Sequence, residues 1–477
     1  MSSVRLFNNY LRVPFILLAF AEATIFLLSV YFAALVRFQQ PDIDYTGILV
    51  NYSGADFGLV GIAYAFVMML SMTALGQYQS QQHVTPNIYH ETVLRVFISL
   101  FLGTLVLSVL YYIFPQVMMG RGLHVIAMLL SFVGVIFSRA VFFQLINRSI
   151  LKRNVLVIGA GSRAQTLISE KGGSQDGVSY RLLGYVPVQS ETIKVPEDKV
   201  LNIDVSELAT FAMEAEVDEM VLAIEDRRKS FPAKKLLECK LAGIKIIDPV
   251  TFLEREQGKV NLEMLSSSWM IYSTGFTRND VKSLFARTFD MLSSLIILLF
   301  MGPVMLLVAF LIFLESGFKH SVLYNQVRVG MDGKEFTLYK FRSMQVNAEK
   351  AGKAVWASKN DSRITLVGKF IRKTRIDELP QILNILKGDM RLVGPRPERP
   401  EFVNDLATRI PYYKNRHTVK PGLAGWAQLK YPYGATERDA YEKLQYDLYY
   451  VKNHNVIMDF FILLQTIEIV IMGKGAR

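Results

Sequence analysis

Two adjacent acids, Asp377 and Glu378, sit in the stretch TRIDELPQILNILKGDM, which runs from Thr374 to Met390. Like charges side by side need a reason. One is a helix N-terminus, where the backbone dipole favours carboxylates. Pro380 fits, because proline is favoured at the first helical position, where its missing N–H costs no bond. A helix, or its second segment, is then expected from near Leu379, with Leu379, Ile382, Leu383 and Leu386 as one apolar stripe. The other reason is phosphate chemistry. Adjacent side chains point in different directions, so one carboxylate can face a substrate while the other holds a metal.

Cations cluster in the surrounding motifs. LYKFRSM supplies Lys340 and Arg342, and GDMRLVGPRPERPEF supplies Arg391 and Arg396, the latter fixed between Pro395 and Pro397. Arg375 directly precedes the acids' own turn. KPGLAGWAQL adds Lys420 and a glycine-rich turn at Gly422 and Gly425; YEKLQYDLYYV adds Tyr441, Asp447 and Tyr450. Rigid cations neutralise phosphates, and carboxylates bind Mg2+.

The elements that position these residues lie in a chain of 477 residues, 51% hydrophobic, with net charge +11. Mean hydropathy of +0.26 is high for a soluble protein of this length. A basic, apolar chain suits anionic lipid headgroups or phosphorylated substrates. No zinc-ligand spacing and no nucleic-acid-binding signature is present, so nucleic acid is not an expected partner. The single cysteine, Cys239, excludes an internal disulfide and is read as a small buried hydrophobe.

Four apolar runs come first, roughly Pro14–Val36, Phe57–Leu75, Val93–Phe114 and Leu123–Phe143. Each approaches or exceeds the ~20 residues that cross a bilayer core. Residues 1–150 are therefore expected as four transmembrane helices. Arg5 and Arg12 precede the first run, Asp42, Asp44 and Asp56 follow it, and Arg148, Lys152 and Arg153 follow the fourth. The positive-inside rule puts both ends of this module in the cytoplasm.

Residues 151–250 read as a Rossmann-like α/β domain. NVLVIGAGSRA is a strand, a glycine turn and a helix; RLLGYV, EMVLAI and IKIID are further strands. Gly159, Gly161 and Ala164 make G-x-G-x-x-A, a turn that lets a phosphate approach backbone N–H groups, and are the candidate nucleotide-binding residues. A dinucleotide site also uses an acid at the end of the second strand. Here Pro187 and Val188 follow RLLGYV. Assembly or regulation suits the module better.

Residues 251–284 are expected as a linker. A fifth apolar run, about Phe289–Leu314, carries Gly302-Pro303 in its middle. Proline removes a helix hydrogen bond and clashes with the preceding turn, so a kink or break is expected there. Arg278, Lys282 and Arg287 precede this run and Lys319 follows it. Equal basic flanks fit a re-entrant helix, and a kinked spanning helix is the alternative. The last apolar segment, VIMDFFILLQTIEIVIMG, contains Asp459, Gln465 and Glu468 and is expected as a core or interfacial helix, not a span.

KFRSM, DELPQ, GDM-x-LVGPRPE, PGLAGWAQL and YDLYYV, in this order, resemble the bacterial sugar transferases, the polyprenyl-phosphate hexose-1-phosphate transferases or monotopic phosphoglycosyl transferases. The motifs cover about the last 200 residues, and the layout resembles the large members that start exopolysaccharide or O-antigen repeat units. The resemblance implies a membrane protein with a four-helix transmembrane bundle, a Rossmann-like domain, a re-entrant helix at 285–316 and an α+β catalytic domain at 317–477. It implies transfer of a sugar 1-phosphate from a UDP-sugar to polyprenyl phosphate at the cytoplasmic face of the bacterial inner membrane. UMP is the by-product, and membrane lipids are further partners. Asp377 would be the nucleophile and Glu378 the Mg2+ ligand. Lys340 and Arg396 would steady phosphoryl oxygens, with Arg342, Arg375 and Arg391 as further phosphate-binding cations. The cations around Asp377 are expected to keep it ionised. Arg391 departs from the family pattern, which has a small polar residue there. Because nucleotide sugars are cytosolic, that function favours the re-entrant reading of the fifth run. Glucose, galactose and N-acetylated sugars are all compatible donors, and a homodimer is compatible too. Two rivals stay open: a membrane-tethered nucleotide-sugar dehydratase or epimerase, and a non-catalytic regulator of polysaccharide synthesis.

Overall fold

The computed structural model describes residues 3–6, 9–37, 57–78, 88–147, 152–169, 180–188, 191–225, 231–265, 267–273, 275–276, 280–345, 363–431, 434 and 436–472. Asp42, Asp44, Asp56, Arg148 and Arg278 lie outside these residues. Two compact units divide the chain, with the boundary between Phe252 and Leu253.

After a short strand pair, Ser3–Leu6 with Asn9–Arg12, come four apolar helices, α1 (Val13–Arg37), α2 (Phe57–Ala74), α3 (Ile88–Ile113) and α4 (Arg121–Asn147). By length and composition α1, α3 and α4 suffice to cross a membrane, while α2 is a shorter apolar helix than expected for a span. They form a bundle in which α1 packs on α2 and α4, and α3 packs on α2 and α4. Its core is built from Phe26, Val30, Tyr64, Met68, Val96, Leu100, Ala127 and Val135. Phe20, Phe66, Phe101 and Phe137 point outward and are more than half exposed. Apolar surface both inside and outside is the pattern of helices solvated by lipid.

Inside this bundle lies one buried ion pair. Arg139 Nε donates to Glu22 Oε1 at 2.7 Å and Nη2 to Glu22 Oε2 at 3.1 Å. Arg139 Nη1 reaches Gln77, and the Tyr78 hydroxyl donates to Glu22. A charge in an apolar interior is tolerated only when fully paired. Here α1, α4 and the end of α2 all contribute partners, so the cluster fixes their register.

The α/β part follows. Four strands, β1 (Arg153–Ile158), β2 (Tyr180–Val186), β3 (Glu219–Leu222) and β4 (Lys245–Ile247), pair in the order β2-β1-β3-β4, all parallel. Helices α5 (Ser162–Ser169), α6 (Leu208–Glu214) and α7 (Ala233–Leu241) separate them in the chain. Leu156, Ile158, Met220, Leu222, Leu236 and Cys239 are buried together. Cys239 is thus a core residue, as its type suggested.

The second unit begins inside α8 (Pro249–Gln257). Residues 253–265, expected within a linker, pack into the second unit. Val260 N–H donates to the Gln445 carbonyl at 3.0 Å, Trp426 Nε1 donates to the Gly258 carbonyl at 2.7 Å, and Lys452 Nζ donates to buried Glu254 at 2.6 Å. Val260 and Leu262 belong to the core that also holds Ile385, Leu392, Leu448 and Tyr450. The sequence reads as a linker because its apolar residues have no period; their partners come from nearly 200 residues away.

Helix α9 (Asp280–Glu315) continues past Pro303, so the segment is not broken into two helices there, although the missing N–H leaves the Leu299 carbonyl without its helix partner. By length and composition it is sufficient to cross a membrane. Both of its ends bind the same unit. Arg287 donates to the carbonyls of Ile385 and Leu386, and Glu315 Oε1 accepts from the N–H groups of Leu366 and Val367. Leu299, Phe300 and Leu306, around its middle, are 74%, 68% and 75% exposed.

The rest is α+β: a hairpin of β5 (Leu323–Val329) and β6 (Glu335–Phe341), helix α10 (Leu366–Lys373), a 3-10 turn (Ile376–Gln381), α11 (Ile382–Lys387), β7 (Arg391–Val393), α12 (Pro400–Arg409), β8 (Gly422–Ala424), α13 (Trp426–Lys430), α14 (Glu437–Asn453) and α15 (Val456–Met472). Strands β7 and β8 pair parallel. Met458, Asp459 and Ile462 of α15 are buried, as a core helix requires.

Arg139→Leu should strand the Glu22 carboxylate and destabilise the bundle by about 3–5 kcal/mol. Adding Glu22→Leu should recover most of that loss, read as the melting temperature of the purified protein in detergent.

Candidate active site

The two acids lie on a 3-10 turn that leads directly into an α-helix, so the expected helix start is present but is wound more tightly and begins earlier than Leu379. Helix α10 stops at Thr374, and Arg375 takes a left-handed backbone, φ 60°. That conformation costs a non-glycine residue energy, and such strain gathers at functional sites. It turns the chain so that Ile376–Gln381 can wind tightly before α11 begins at Ile382. Gln381, Ile382 and Ile385 face the core, whereas Leu383, expected in the apolar stripe, is 40% exposed. The reason is the 3-10 segment, which rotates the helix phase relative to a single α-helix from Leu379.

Glu378 is gripped from three places. Lys340 Nζ, on β6, lies 3.1 Å from Oε1. Arg396 Nη2, on the proline-flanked loop, lies 2.7 Å from the same oxygen. Arg375 Nη1 stands 3.6 Å from Oε2. Burial raises the Glu378 pKa, but Arg396 and Lys340 outweigh it and hold it well below the ordinary carboxylate value. Lys340 is pulled down by burial and partly restored by Glu378.

Asp377 is different. Among the described residues it makes no hydrogen bond or ion pair. Burial, then the charge of Glu378, pushes its pKa up to about 6, against the pull of Lys340, Arg396 and Arg372. The cations do pull towards the ionised form, as expected, but desolvation and the neighbouring acid outweigh them and raise the pKa. Near neutral pH it is still mostly a carboxylate, and a poorly solvated one.

The supporting layer is visible. Arg416, buried, donates from Nη2 to the Arg396 carbonyl at 2.9 Å and pairs with Asp447 at 2.8 Å. Arg328 Nη1 donates to the Pro397 carbonyl at 3.1 Å, and Val329 N–H to the Glu398 carbonyl at 2.9 Å. The Arg396 loop is thus held by its backbone. Asn384 donates to the Thr337 carbonyl and accepts from Tyr339 N–H, tying α11 to β6. Arg372, Arg328, Arg416 and Asn384 escaped the sequence reading; Asn384 interrupts an apolar helix, which was the available signal.

Of the expected phosphate-binding residues, Lys340, Arg375 and Arg396 converge on Glu378. Arg342 continues the hairpin with its N–H on the Val322 carbonyl, and its Nη1 is buried without a partner among the described residues. It lies two residues from Lys340, just past the end of β6 at Phe341. Arg391 is engaged elsewhere: Nε bonds Asp290 of α9 at 2.9 Å, and Nη2 bonds Asp459 of α15 at 2.7 Å. Tyr450 donates to Asp459 as well, at 2.7 Å. Arg391 therefore ties the membrane-type helix to the catalytic core, in place of the expected substrate phosphate. Asp447, read earlier as a possible metal ligand, is likewise used by Arg416.

Among the described residues no cluster of three or more His, Cys, Asp or Glu side chains encloses a metal position. Among the described residues Glu378 Oε2 has Arg375 alone, at 3.6 Å, which leaves lone pairs available. One carboxylate suffices for Mg2+ when substrate phosphates and water complete the octahedron. The site fits that mode.

The family model for bacterial sugar transferases matches residues 281–473. A provisionally named undecaprenyl-phosphate N-acetylgalactosaminyl 1-phosphate transferase of Bacillus subtilis (strain 168) is 50% identical over 130 residues, 27% of this chain and 71% of that protein. The chain belongs to the bacterial sugar transferase family. Two longer relatives of this sugar transferase are also similar. The UDP-N-acetylgalactosamine-undecaprenyl-phosphate N-acetylgalactosaminephosphotransferase of Aeromonas hydrophila is 40% identical over 242 residues, 51% of this chain and 56% of that one. The UDP-glucose:undecaprenyl-phosphate glucose-1-phosphate transferase of Klebsiella pneumoniae is 38% identical over 200 residues, 42% of each chain. The chain spans about half the length of these two relatives.

Arg391→Ser should leave Asp290 and Asp459 uncompensated and cost about 3–5 kcal/mol of stability. The triple change Asp290→Asn, Arg391→Met, Asp459→Asn should restore most of the melting temperature.

Proposed function

We propose that this sugar transferase moves a sugar 1-phosphate from a UDP-sugar to polyprenyl phosphate, and that Asp377 is the nucleophile. One observation carries the reading: Glu378 is locked by Lys340 and Arg396 while Asp377, beside it, is half-buried and has no hydrogen bond or ion pair among the described residues. A nucleophile must be both ionised and free, and of the two acids Asp377 is the one free among the described residues.

In the first step an Asp377 carboxylate oxygen attacks the β-phosphorus. The bond from that phosphorus to the bridging oxygen breaks, and UMP leaves with the oxygen. An acyl phosphate bearing the sugar remains on Asp377. In the second step a phosphate oxygen of the polyprenyl carrier attacks the same phosphorus, and the acyl oxygen leaves, restoring the carboxylate. Lys340, Arg396 and Arg342 present positive charge to the phosphoryl oxygens. Glu378 Oε2 would hold Mg2+, which offsets diphosphate charge when bound. Burial of Asp377 weakens its hydration and so favours attack.

The same reading makes α9 re-entrant. Both of its ends bond one catalytic unit, whereas a straight 36-residue helix is about 54 Å long. Its exposed apolar middle would dip into the inner leaflet of the bacterial inner membrane, with the catalytic unit on the cytoplasmic face where nucleotide sugars are found. A dehydratase or epimerase acting through the first unit gains no support, since the free acid lies in the second.

Membranes carrying the protein should release UMP from one UDP-sugar of a donor panel, with Mg2+ and polyprenyl phosphate present. Asp377→Asn should abolish that release, and Arg396→Ala should slow it by about 10²–10³-fold. UMP release at the wild-type rate from Asp377→Asn would sink the mechanism.

Activity should also track the Asp377 carboxylate. Its raised pKa means protonation as pH falls through about 6. Turnover at pH 5 should be about tenfold below the plateau at pH 8. For stability the sign is opposite: the fold disfavours the ionised form, so Asp377→Asn should melt about 2–5 °C higher at pH 7. That gain should shrink as pH drops towards the unfolded value near 3.8. An unchanged pH–rate profile between 5 and 8 would contradict the assignment.

A further inference from the structure

The glycine turn of the α/β part has the shape of a diphosphate cradle, and two of its backbone donors, at Ala160 and Ser162, are already taken. Gly159 is left-handed, φ 111°, and a Cβ there would stand 2.8 Å from the Ala223 backbone. The turn then leads into α5 with Ala160, Gly161 and Ser162. In a dinucleotide site these N–H groups face the phosphates, and the second glycine lets them come close. Here Ala160 N–H donates to Glu191 Oε2 at 3.0 Å. Ser162 N–H donates to Glu225 Oε1 at 2.5 Å, and the Ser162 hydroxyl donates to the same oxygen. A Cβ on Gly161 would lie 2.5 Å from Glu225 Oε1. The close approach that glycine permits is therefore made by a carboxylate of this chain.

The two acids also brace each other's loops. Glu225 N–H donates to Glu191 Oε1 at 2.8 Å. Lys194 N–H donates to the Ala160 carbonyl at 2.8 Å, and its Nζ reaches the Ser162 hydroxyl at 3.2 Å. Glu191 follows β2 by five residues. It comes from the region where a ribose-binding acid is sought, but it folds inward onto the turn. Glu225 is held below its ordinary pKa by Ser162 and so stays ionised.

We infer that this cradle is filled from within: Glu191 and Glu225 take the positions of a dinucleotide's phosphates, and the α/β part serves the enzyme with no dinucleotide bound. A diphosphate arriving there would meet two carboxylates and no free N–H from Ala160 or Ser162. The candidate nucleotide role of Gly159, Gly161 and Ala164 is thus replaced by a closed turn that joins the loops after β2 and β3 to the start of α5.

The test uses the full chain in detergent. NADH and NADPH, titrated to roughly 1 mM, should give no saturable change in nicotinamide fluorescence with the wild type. Glu191→Ala/Glu225→Ala should melt about 2–5 °C lower, because it frees the Ala160 and Ser162 donors. Inorganic phosphate should then raise its melting temperature more than it raises that of the wild type. Saturable NADH or NADPH binding by the wild type would overturn the inference, whether or not the double variant folds. So would a double variant that melts like the wild type and shows no extra response to phosphate.

Discussion

The Glu378 carboxylate is the constraint around which the catalytic unit is organised. Three cations from β6, the 3-10 turn and the Arg396 loop meet on it. Buried without them, it would be protonated or would drag the turn outward. With them, it becomes a fixed anion that anchors three segments distant in sequence. The consequence falls on its neighbour. Asp377 shares the desolvation but not the partners, so its pKa rises while that of Glu378 falls. One environment thus splits two neighbouring carboxyl groups into an anchored anion and an acid with a raised pKa.

Holding the anchor requires a second tier. Arg416 and Arg328 fix the backbone on which Arg396 sits, and Asp447 fixes Arg416. Asn384 fixes α11 to the hairpin that carries Lys340. Arg416, Arg328 and Asn384 each commit a polar side chain to a backbone carbonyl. The tie between Arg391, Asp290 and Asp459 sets α9 against β7 and α15. Much of the charge in this unit is therefore structural.

Ionic groups hold elements of the first unit together too, buried in one place and near the surface in the other. Glu22 and Arg139 pair inside the bundle, and Glu191 and Glu225 close the glycine turn. In both places a motif that could mark function, an intramembrane charge or a phosphate turn, is consumed by the chain itself. A motif names a set of available groups, and whether they are available is decided by what packs beside them.

Apolar periodicity and length were enough to reveal the bundle helices, the parallel sheet and the long α9, because burial against lipid or core imposes a period that any window displays. The order of the C-terminal motifs revealed the family and the acid pair. What the sequence could not fix was partnership at long range. Lys340 lies 38 residues from Glu378, Arg391 lies 101 from Asp290, and Glu254 lies 198 from Lys452. Nothing local distinguishes an arginine bound for a carboxylate from one bound for a phosphate. That choice depends on which charges the folded chain brings within about 4 Å, and so only the tertiary structure separates Arg391 from Arg396, and Glu378 from Asp377.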